Sequence, residues 1–287
     1  MELSGSLGER IANALETLNP KQKEMARFVL DNRYLVSFVS ASELGEKNGT
    51  SAATVVRFAQ ALGYEGYTEM QNALRSELPT YMAATTRMQK LMSAGGPSAS
   101  IPQRVFYTDI KNIEQTASSL SDEDLNAALD TILKARRILV IGAGLSSAPA
   151  AFLSHSLKVM GFDALGIQGE GLQSAVELAR IRPNDLMIAI DLWRYVRMTV
   201  YAVAQAKEKG APAIVITDSI VSPLTKMADI AFEIATEGIA HSLSTTALMS
   251  LLNVLVAMLA DRAPEQVYEA LQQLDAMYVG NDLLIMK

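Results

Sequence analysis

Hydrophobic and polar positions follow two different rhythms along this chain, and the change between them divides it. From about residue 6 to residue 78, apolar residues recur at helical spacing in short runs separated by turn residues. Asn19 and Pro20 form an N-cap with proline at the first helical position, and Met25, Phe28, Val29 and Leu30 supply an apolar face to about Asn32. The spacing predicts a second helix over Ala41 to Lys47 with Ser42 as its cap, then a turn at Asn48-Gly49. A third helix, capped by Ser51, runs to about Leu62 and stops at Gly63. A short helix from about Tyr67 to Leu78 follows, and Pro79 closes the region.

Residues 80–100 read as a linker, with Gly95-Gly-Pro-Ser-Ala-Ser100 as a loop and with Met82, Met88, Leu91 and Met92 on one helix suited to packing on a partner. Helical spacing returns from Phe106 to Leu120, and Ser121 caps a further helix over Leu125 to Leu133. The second rhythm then begins. Near-continuous apolar strands are expected at Ile138–Ile141, Ala164–Ile167, Leu186–Ile190, Ala213–Ile216 and Ile230–Ile234. Helical stretches lie between them: Ser147 to Met160, Leu172 to Arg180, Val196 to Lys209, and a short one near Pro223 to Met227. Strands of this kind separated by helices predict an α/β fold, a five-stranded parallel sheet covered by helices on both faces. Leu243 to Ala260 is apolar nearly all round, which predicts a buried or interfacial helix, and an amphipathic helix follows from Pro264 to Met277. The expected organisation is a helical domain over 1–79, a linker with connecting helices over 80–120, and an α/β domain over 121–287.

Within the first domain the middle helix pair has helix-turn-helix spacing. Small Gly45 stands where the helices approach, Gly49 lies in the turn, and Leu44, Val55, Phe58 and Leu62 point to a shared core. Such a unit enters the DNA major groove by the N-terminal residues of its second helix. Here these are Thr50, Ser51 and Thr54, with Arg57 one turn on and Lys47 before the turn. Small polar residues allow close approach, and Arg57 suits guanine or a phosphate. A plain helical bundle with a structural glycine turn accounts for the same spacing.

Composition narrows these readings. The 287-residue chain carries a net charge of −6, and acidic residues outnumber basic ones in the first domain, so DNA contact must come from few cations and gains from dimerisation. There is no cysteine, which excludes disulfides, thiolate catalysis and Cys-ligated zinc. Two histidines, His155 and His241, are too few for a His-rich metal site. No cofactor is expected. The start of the chain lacks the regions of a signal peptide and its most apolar window is short, so the expectation is a soluble cytoplasmic protein.

The chemistry concentrates at strand ends. Gly142-Ala-Gly144-Leu-Ser-Ser147 follows the first strand and opens a helix, the order in which an α/β sheet offers backbone N–H groups to an anion. It resembles a dinucleotide fingerprint but has Ser147 at the third glycine. Ser146 and Ser147 instead add hydroxyls beside the helix start, which suits a compact phosphate; a tight turn with a serine cap is the structural alternative. Two other strand ends line the same crevice: Asp191-Leu-Trp-Arg194-Tyr195-Val-Arg197, and Thr217-Asp218-Ser219. Arg194 or Arg197 suits a phosphate or carboxylate. Trp193 fits a pocket wall or the core, and His241 either a helix start or a ligand contact.

These residues carry a family resemblance. Ser51-Ala-Ala-Thr-Val-Val-Arg-Phe58 and Leu62-Gly-Tyr-Glu-Gly-Tyr67 resemble the helix-turn-helix domain of the RpiR/MurR family of bacterial transcriptional regulators. Gly142-Ala-Gly-Leu-Ser146, Ala206-Lys-Glu-Lys-Gly210, Ile216-Thr-Asp-Ser219 and Ser222-Pro-Leu224 resemble its sugar isomerase (SIS) domain. The resemblance implies a non-enzymatic homodimer or homotetramer that binds operator DNA with Arg57 on its recognition helix. It also implies a SIS domain that senses a phosphorylated sugar or related anionic metabolite. One departure stands out: Asp191-Leu-Trp-Arg194-Tyr195 replaces the usual Ser/Thr-rich loop, which makes Arg194 a candidate to hold the anion. The alternative function is a SIS-type sugar-phosphate isomerase with Glu170, Glu177 or His241 as base.

Overall fold

The computed structural model describes residues 6–37, 39–77, 84–93, 100–167, 172–193, 195–219 and 222–281. They form two compact units, Met1–Thr86 and Arg87–Lys287.

The first unit contains α1 (Leu7–Ala14), α2 (Pro20–Asp31), α3 (Arg33–Val36), α4 (Ala41–Lys47), α5 (Ala52–Ala61) and α6 (Tyr67–Glu77). Reciprocal capping boxes start α1 (Ser6 with Glu9), α2 (Asn19 with Gln22) and α4 (Ser40 with Glu43). The cap of α4 is therefore Ser40 rather than Ser42. Ser40 has extended backbone and its Oγ accepts from Glu43 N–H, whereas Ser42 already sits inside the first turn. Leu7, Met25, Val29, Leu44, Val55, Phe58, Met70 and Leu74 fill one core.

The one-turn α3 was not apparent from apolar spacing, and the irregular segment behind it is held by α6. Tyr67 Oη donates to Val36 O (3.0 Å) and Val39 O (2.9 Å), and Gln71 Nε2 donates to the same two carbonyls at 3.0 and 2.7 Å. Arg75 Nε donates to Ser37 O at 2.6 Å. Among the described residues these carbonyls have no ladder or helix partner, and side chains from α6 satisfy them. Burial pushes the Tyr67 hydroxyl up to about 12, which keeps it a donor. The start of α4, and with it the helix-turn-helix, is thereby fixed to α6.

Helix α7 (Ala84–Ser93) follows, then α8 (Ile101–Ser119) and α9 (Asp122–Lys134). The sheet strands are β1 (Ile138–Gly142), β2 (Ala164–Ile167), β3 (Leu186–Asp191), β4 (Ala213–Thr217) and β5 (Ile230–Glu233). Between and after them come α10 (Ser147–Val159), α11 (Leu172–Ala179), α12 (Arg197–Glu208), α13 (Thr246–Arg262) and α14 (Pro264–Gly280). All pairs are parallel in the order β2-β1-β3-β4-β5. Strands β1, β3 and β4 are buried along their whole length, as a sheet covered on both faces requires. Ile138, Val140, Ile188, Ile190, Ile214 and Ile216 pack with α9, α10 and α13. The alternating Leu139, Met187, Ala189 and Val215 are equally buried, and α12 packs on β3.

Two expectations about extent change. Helix α8 begins at Ile101, five residues before Phe106, because Ser100 and Gln103 form a capping box and Pro102 is tolerated in the first turn. It belongs to the second unit and packs on α13. Its Asn112 exchanges hydrogen bonds with the Glu237 backbone, and Thr116 Oγ1 accepts from Ala235 N–H, which pins the segment after β5. The short helix expected near Pro223–Met227 is a run of turns. Its backbone bonds close single turns, Thr225 N–H to Ser222 O at 3.2 Å and Met227 N–H to Leu224 O at 3.0 Å, without a continuing helical ladder. Residues 95–99 of the expected loop and Met82 lie outside the described residues. No single helix among the described residues is long and apolar enough to cross a membrane, and α13 buries Leu248, Leu251, Leu252, Leu255 and Leu259 inside the unit.

Candidate nucleic-acid interface and ligand cleft

Glycine geometry builds the helix-turn-helix. A Cβ on Gly45 would meet Thr50 O at 2.8 Å and Ser51 C at 3.0 Å, so only glycine lets the turn fold back on α4. Thr50 N–H donates to Gly45 O at 2.8 Å across that approach. Gly49 takes φ +60°, the left-handed conformation that ends α4. Ser51 caps α5, with its Oγ accepting from Thr54 N–H at 3.3 Å and lying 3.0 Å from Thr54 Oγ1. Val55, Phe58 and Ala59 turn inward, while Ser51, Ala53 and Arg57 are exposed and Thr50 and Thr54 half-exposed. Lys47 is exposed at the end of α4. All five expected DNA-facing residues thus lie on or beside α5.

Sequence reasoning missed a neighbour. An open groove of about 510 Å³ runs between the start of α2 and α5, lined by Asn19, Pro20, Lys21, Gln22, Thr54 and Arg57. Lys21 is far from Arg57 in sequence, and only the packing of α2 beside α5 brings them to one groove. Two other cations in this unit serve the fold: Arg10 lies 4.3 Å over the Tyr64 ring, and Arg75 Nε donates to Ser37 O.

In the second unit a cleft of about 450 Å³ opens at the carboxyl ends of β1 and β2 and the start of α12. Strand order reverses between β1 and its neighbours, so this is the topological switch point, where α/β sheets bind ligands. Gly142, Ala143, Gly144, Ser147, Ala148, Ile167, Met198 and Thr199 contribute to its lining. A Cβ on Gly142 would run into the Ser146 carbonyl and the Ala150 methyl, and Gly144 takes φ +56°. Gly144–Ser146 forms one 3₁₀ turn before α10, and no side chain among the described residues caps α10, so its first N–H groups face the cleft end uncapped.

The two serines behave differently from expectation. Ser147 lines the cleft but donates its hydroxyl proton to Gly144 O at 2.7 Å, so toward a ligand it presents an acceptor until that bond opens. Ser146 is 1% exposed, does not line the cleft, and its Oγ has no partner among the described residues.

Of the residues expected at the other strand ends, Asp191, Tyr195, Thr217 and Ser219 are not among the described cleft lining. Asp191 is buried and its Oδ2 accepts from Val196 N–H at 2.9 Å. Tyr195 is buried and donates from Oη to Asp218 Oδ1 at 2.7 Å, with Thr217 Oγ1 3.5 Å from the same hydroxyl. Asp218 Oδ2 accepts from Trp193 N–H at 2.9 Å. Ser219 is buried in the turn that follows, its carbonyl accepting from Ser222 N–H. These polar residues follow strands whose ends are internal, so they satisfy one another and shape the loop. Burial pushes the Asp191 carboxyl up to about 7, with the nearby Asp218 charge adding to it; the Val196 N–H and Thr199 side chain act against the rise. Asp218 is raised for the same leading reason.

Arg197 is exposed at the first position of α12, and His241 is exposed on the segment after β5; neither lines the cleft. Arg194 and Glu170 lie outside the described residues. Glu177 pairs with Arg137 at 3.0 Å, and Arg137 precedes β1, so this carboxylate sits at the opposite end of the sheet from the cleft. Met198 and Thr199 are among the lining residues sequence reasoning missed. Their signal was available: they open the crossover helix after the strand beside the switch point.

Comparison with known proteins agrees with both units. Residues 5–81 match the helix-turn-helix domain of the rpiR family, and residues 131–260 match the SIS domain. A crystal structure of an RpiR transcription factor from Sphaerobacter thermophilus, its sugar isomerase domain, is 40% identical. It covers 62% of this chain and 99% of that one, with a TM-score of 0.60. The Vibrio vulnificus NanR protein complexed with ManNAc-6P is 22% identical over 98% of this chain and 100% of its own, with a TM-score of 0.65, and shares the fold. An uncharacterized HTH-type transcriptional regulator from Haemophilus influenzae is 28% identical over 230 residues, 80% of each chain. The chain belongs to the RpiR family of helix-turn-helix transcriptional regulators that carry a SIS domain.

Proposed function

We propose that the SIS domain senses a phosphorylated sugar in the switch-point cleft and that its occupancy changes operator binding by α5. The observation that carries this reading is the Gly142–Ser147 turn. It combines a backbone too tight for any Cβ at Gly142 with an uncapped helix start beside a 450 Å³ cleft. Uncapped N–H groups at the head of a 13-residue helix favour a compact anion, and the volume suits one small metabolite. The NanR complex supports the reading, since a protein of this fold holds a sugar phosphate. Calorimetric titration with hexose 6-phosphates, including N-acetylmannosamine 6-phosphate, tests this. Saturable binding lost in Gly142→Val is expected; binding unaffected by that change places the ligand elsewhere.

On the DNA side, α5 enters the major groove with Ser51, Ala53 and Arg57, and Lys21 joins Lys47 in holding phosphates beside it. The groove that Lys21 shares with Thr54 and Arg57 supports this assignment.

A second copy of the chain covers α8. Phe106, Tyr107 and Ile110 fall on one side of the helix and are exposed, Phe106 69% and Tyr107 72%, while Ile101 and Val105 turn toward the segment after β5. Isolated soluble domains rarely leave such a face to water, and pairing doubles the cations offered to DNA. Phe106→Asp is expected to lower the mass seen by light scattering; an unchanged assembly rejects α8 as the interface.

A further inference from the structure

The loop between β3 and α12 carries more construction than its length needs. Trp193 has φ +68°, the one non-glycine in the left-handed region among the described residues. A bulky aromatic there is strained by about 1–3 kcal/mol and persists only where its surroundings hold it. Two buried carboxylates do so. Asp218 takes the Trp193 N–H through one oxygen and the Tyr195 hydroxyl through the other. Asp191 takes the Val196 N–H at the far end of the loop.

The braced loop touches two other elements. On one side, Thr199 donates its N–H to Val196 O at 3.0 Å and lines the cleft, as does Met198. On the other, the Arg87 guanidinium lies 4.6 Å over the Trp193 ring, and its charge bears on Asp218 as well. Arg87 belongs to α7 and is the first residue of the second unit; the residues before it in the same helix belong to the DNA-binding unit.

We propose that residues 191–193 and 195–196, between β3 and α12, relay cleft occupancy to α7, with the Arg87–Trp193 stack as the output contact. The proposal rests on the reading of the cleft as the sensor site. A ligand that displaces Met198 or Thr199 moves the start of α12 and loosens the Asp191–Val196 tie. A strained Trp193 has a second, relaxed arrangement close in energy, so a small displacement suffices to shift the loop between the two. Arg87 favours the arrangement that presents the ring to it, and α7 follows. Under this scheme Arg87 does not touch the ligand; its removal shifts ligand affinity by no more than its bias on the loop, while transmission to α7 is lost.

The composition permits a test independent of the natural effector. The 287-residue chain has no cysteine and one tryptophan. Ser147→Cys therefore gives one labelling site in the cleft, and a methanethiosulfonate reagent bearing an ethylsulfonate places an anion there. Trp193 emission reports the loop, and amide hydrogen exchange over residues 84–93 reports α7. Labelling is expected to shift Trp193 emission and to change α7 exchange by about threefold, the scale of a half-exposed cation–π contact. With Arg87→Ala added, the emission shift is expected to persist and the α7 response to vanish, while near-ultraviolet dichroism stays native. With Arg87→Lys instead, part of the α7 response returns. An α7 response that survives Arg87→Ala overturns the output contact, and unchanged Trp193 emission on labelling overturns the relay. Failure of the sensor reading shows separately, as absence of sugar-phosphate binding in calorimetry.

Discussion

The recognition helix and the ligand cleft are both built on glycine turns that open a helix, yet they use their polar residues in opposite ways. Around α5 the turn lies at the surface, and polar residues near it stay exposed: Lys47, Ser51 and Arg57. At the sheet, the turn after β1 leaves Ser147 on the cleft but buries Ser146, and polar ends of β3 and β4 are consumed by the Asp191 and Asp218 networks. A helix-turn-helix reads a partner larger than itself, so its functional groups face outward. A switch-point cleft receives a small molecule, so most polar groups near it are committed to shaping the backbone that meets the ligand.

The sharpest way to break this contrast is to fill the backbone approaches. Gly142→Ala puts a methyl into the Ser146 carbonyl and is expected to destabilise the second unit by about 3 kcal/mol or more, with loss of sugar-phosphate binding. Urea unfolding followed by Trp193 fluorescence measures this, and a wild-type midpoint means that the turn is slack. Gly45→Val is the matching test in the first unit, where the clash is with Thr50 O.

The buried carboxylate gives a pH signature that exposed α5 residues lack. The folded pKa of Asp191, about 7, lies above the ordinary carboxylate value, so the native state binds this proton more tightly than the unfolded chain. Its contribution is greatest near pH 4 and is lost as pH rises toward 7 and beyond. Asp191→Asn keeps an oxygen to accept from Val196 N–H and removes the titration. The variant is expected to match wild type near pH 4 and to exceed its stability by up to about 4 kcal/mol at pH 8. A pH-independent difference between the two refutes the assignment.

Smaller effects sharpen each side of the comparison. Arg57→Ala is expected to weaken operator binding by about 1–3 kcal/mol while the unfolding midpoint stays put, because the side chain is exposed. Lys21→Ala is expected to weaken binding equally on all sequences and to reduce the slope of affinity against salt by about one counterion. A change in sequence preference with Lys21→Ala would place it on a base edge instead.

Local features were legible from the chain in proportion to how local they are. The strand cores, Asn19-Pro20, the Ser51 cap and the stop near Leu62 depend on near neighbours, and the structure places them within a residue or two of expectation. The α4 cap shifted from Ser42 to Ser40 because two serines two residues apart offer the same hydroxyl, and the partner Glu43 selects one. The pairing of Lys21 with Arg57 and the internal use of Asp191 and Tyr195 depend on which elements meet in space. Spacing along the chain carries no record of either.

The central claim is that a small anion in the Gly142–Ser147 cleft governs DNA affinity. Fluorescence anisotropy of the two-domain chain on a duplex selected by it from random-sequence DNA, with and without a sugar phosphate shown to bind, tests this directly. At least a tenfold change in affinity is expected, equivalent to about 1.4 kcal/mol of coupling, with the change lost in Ser147→Ala. Equal DNA affinity with the cleft empty and saturated would contradict the account.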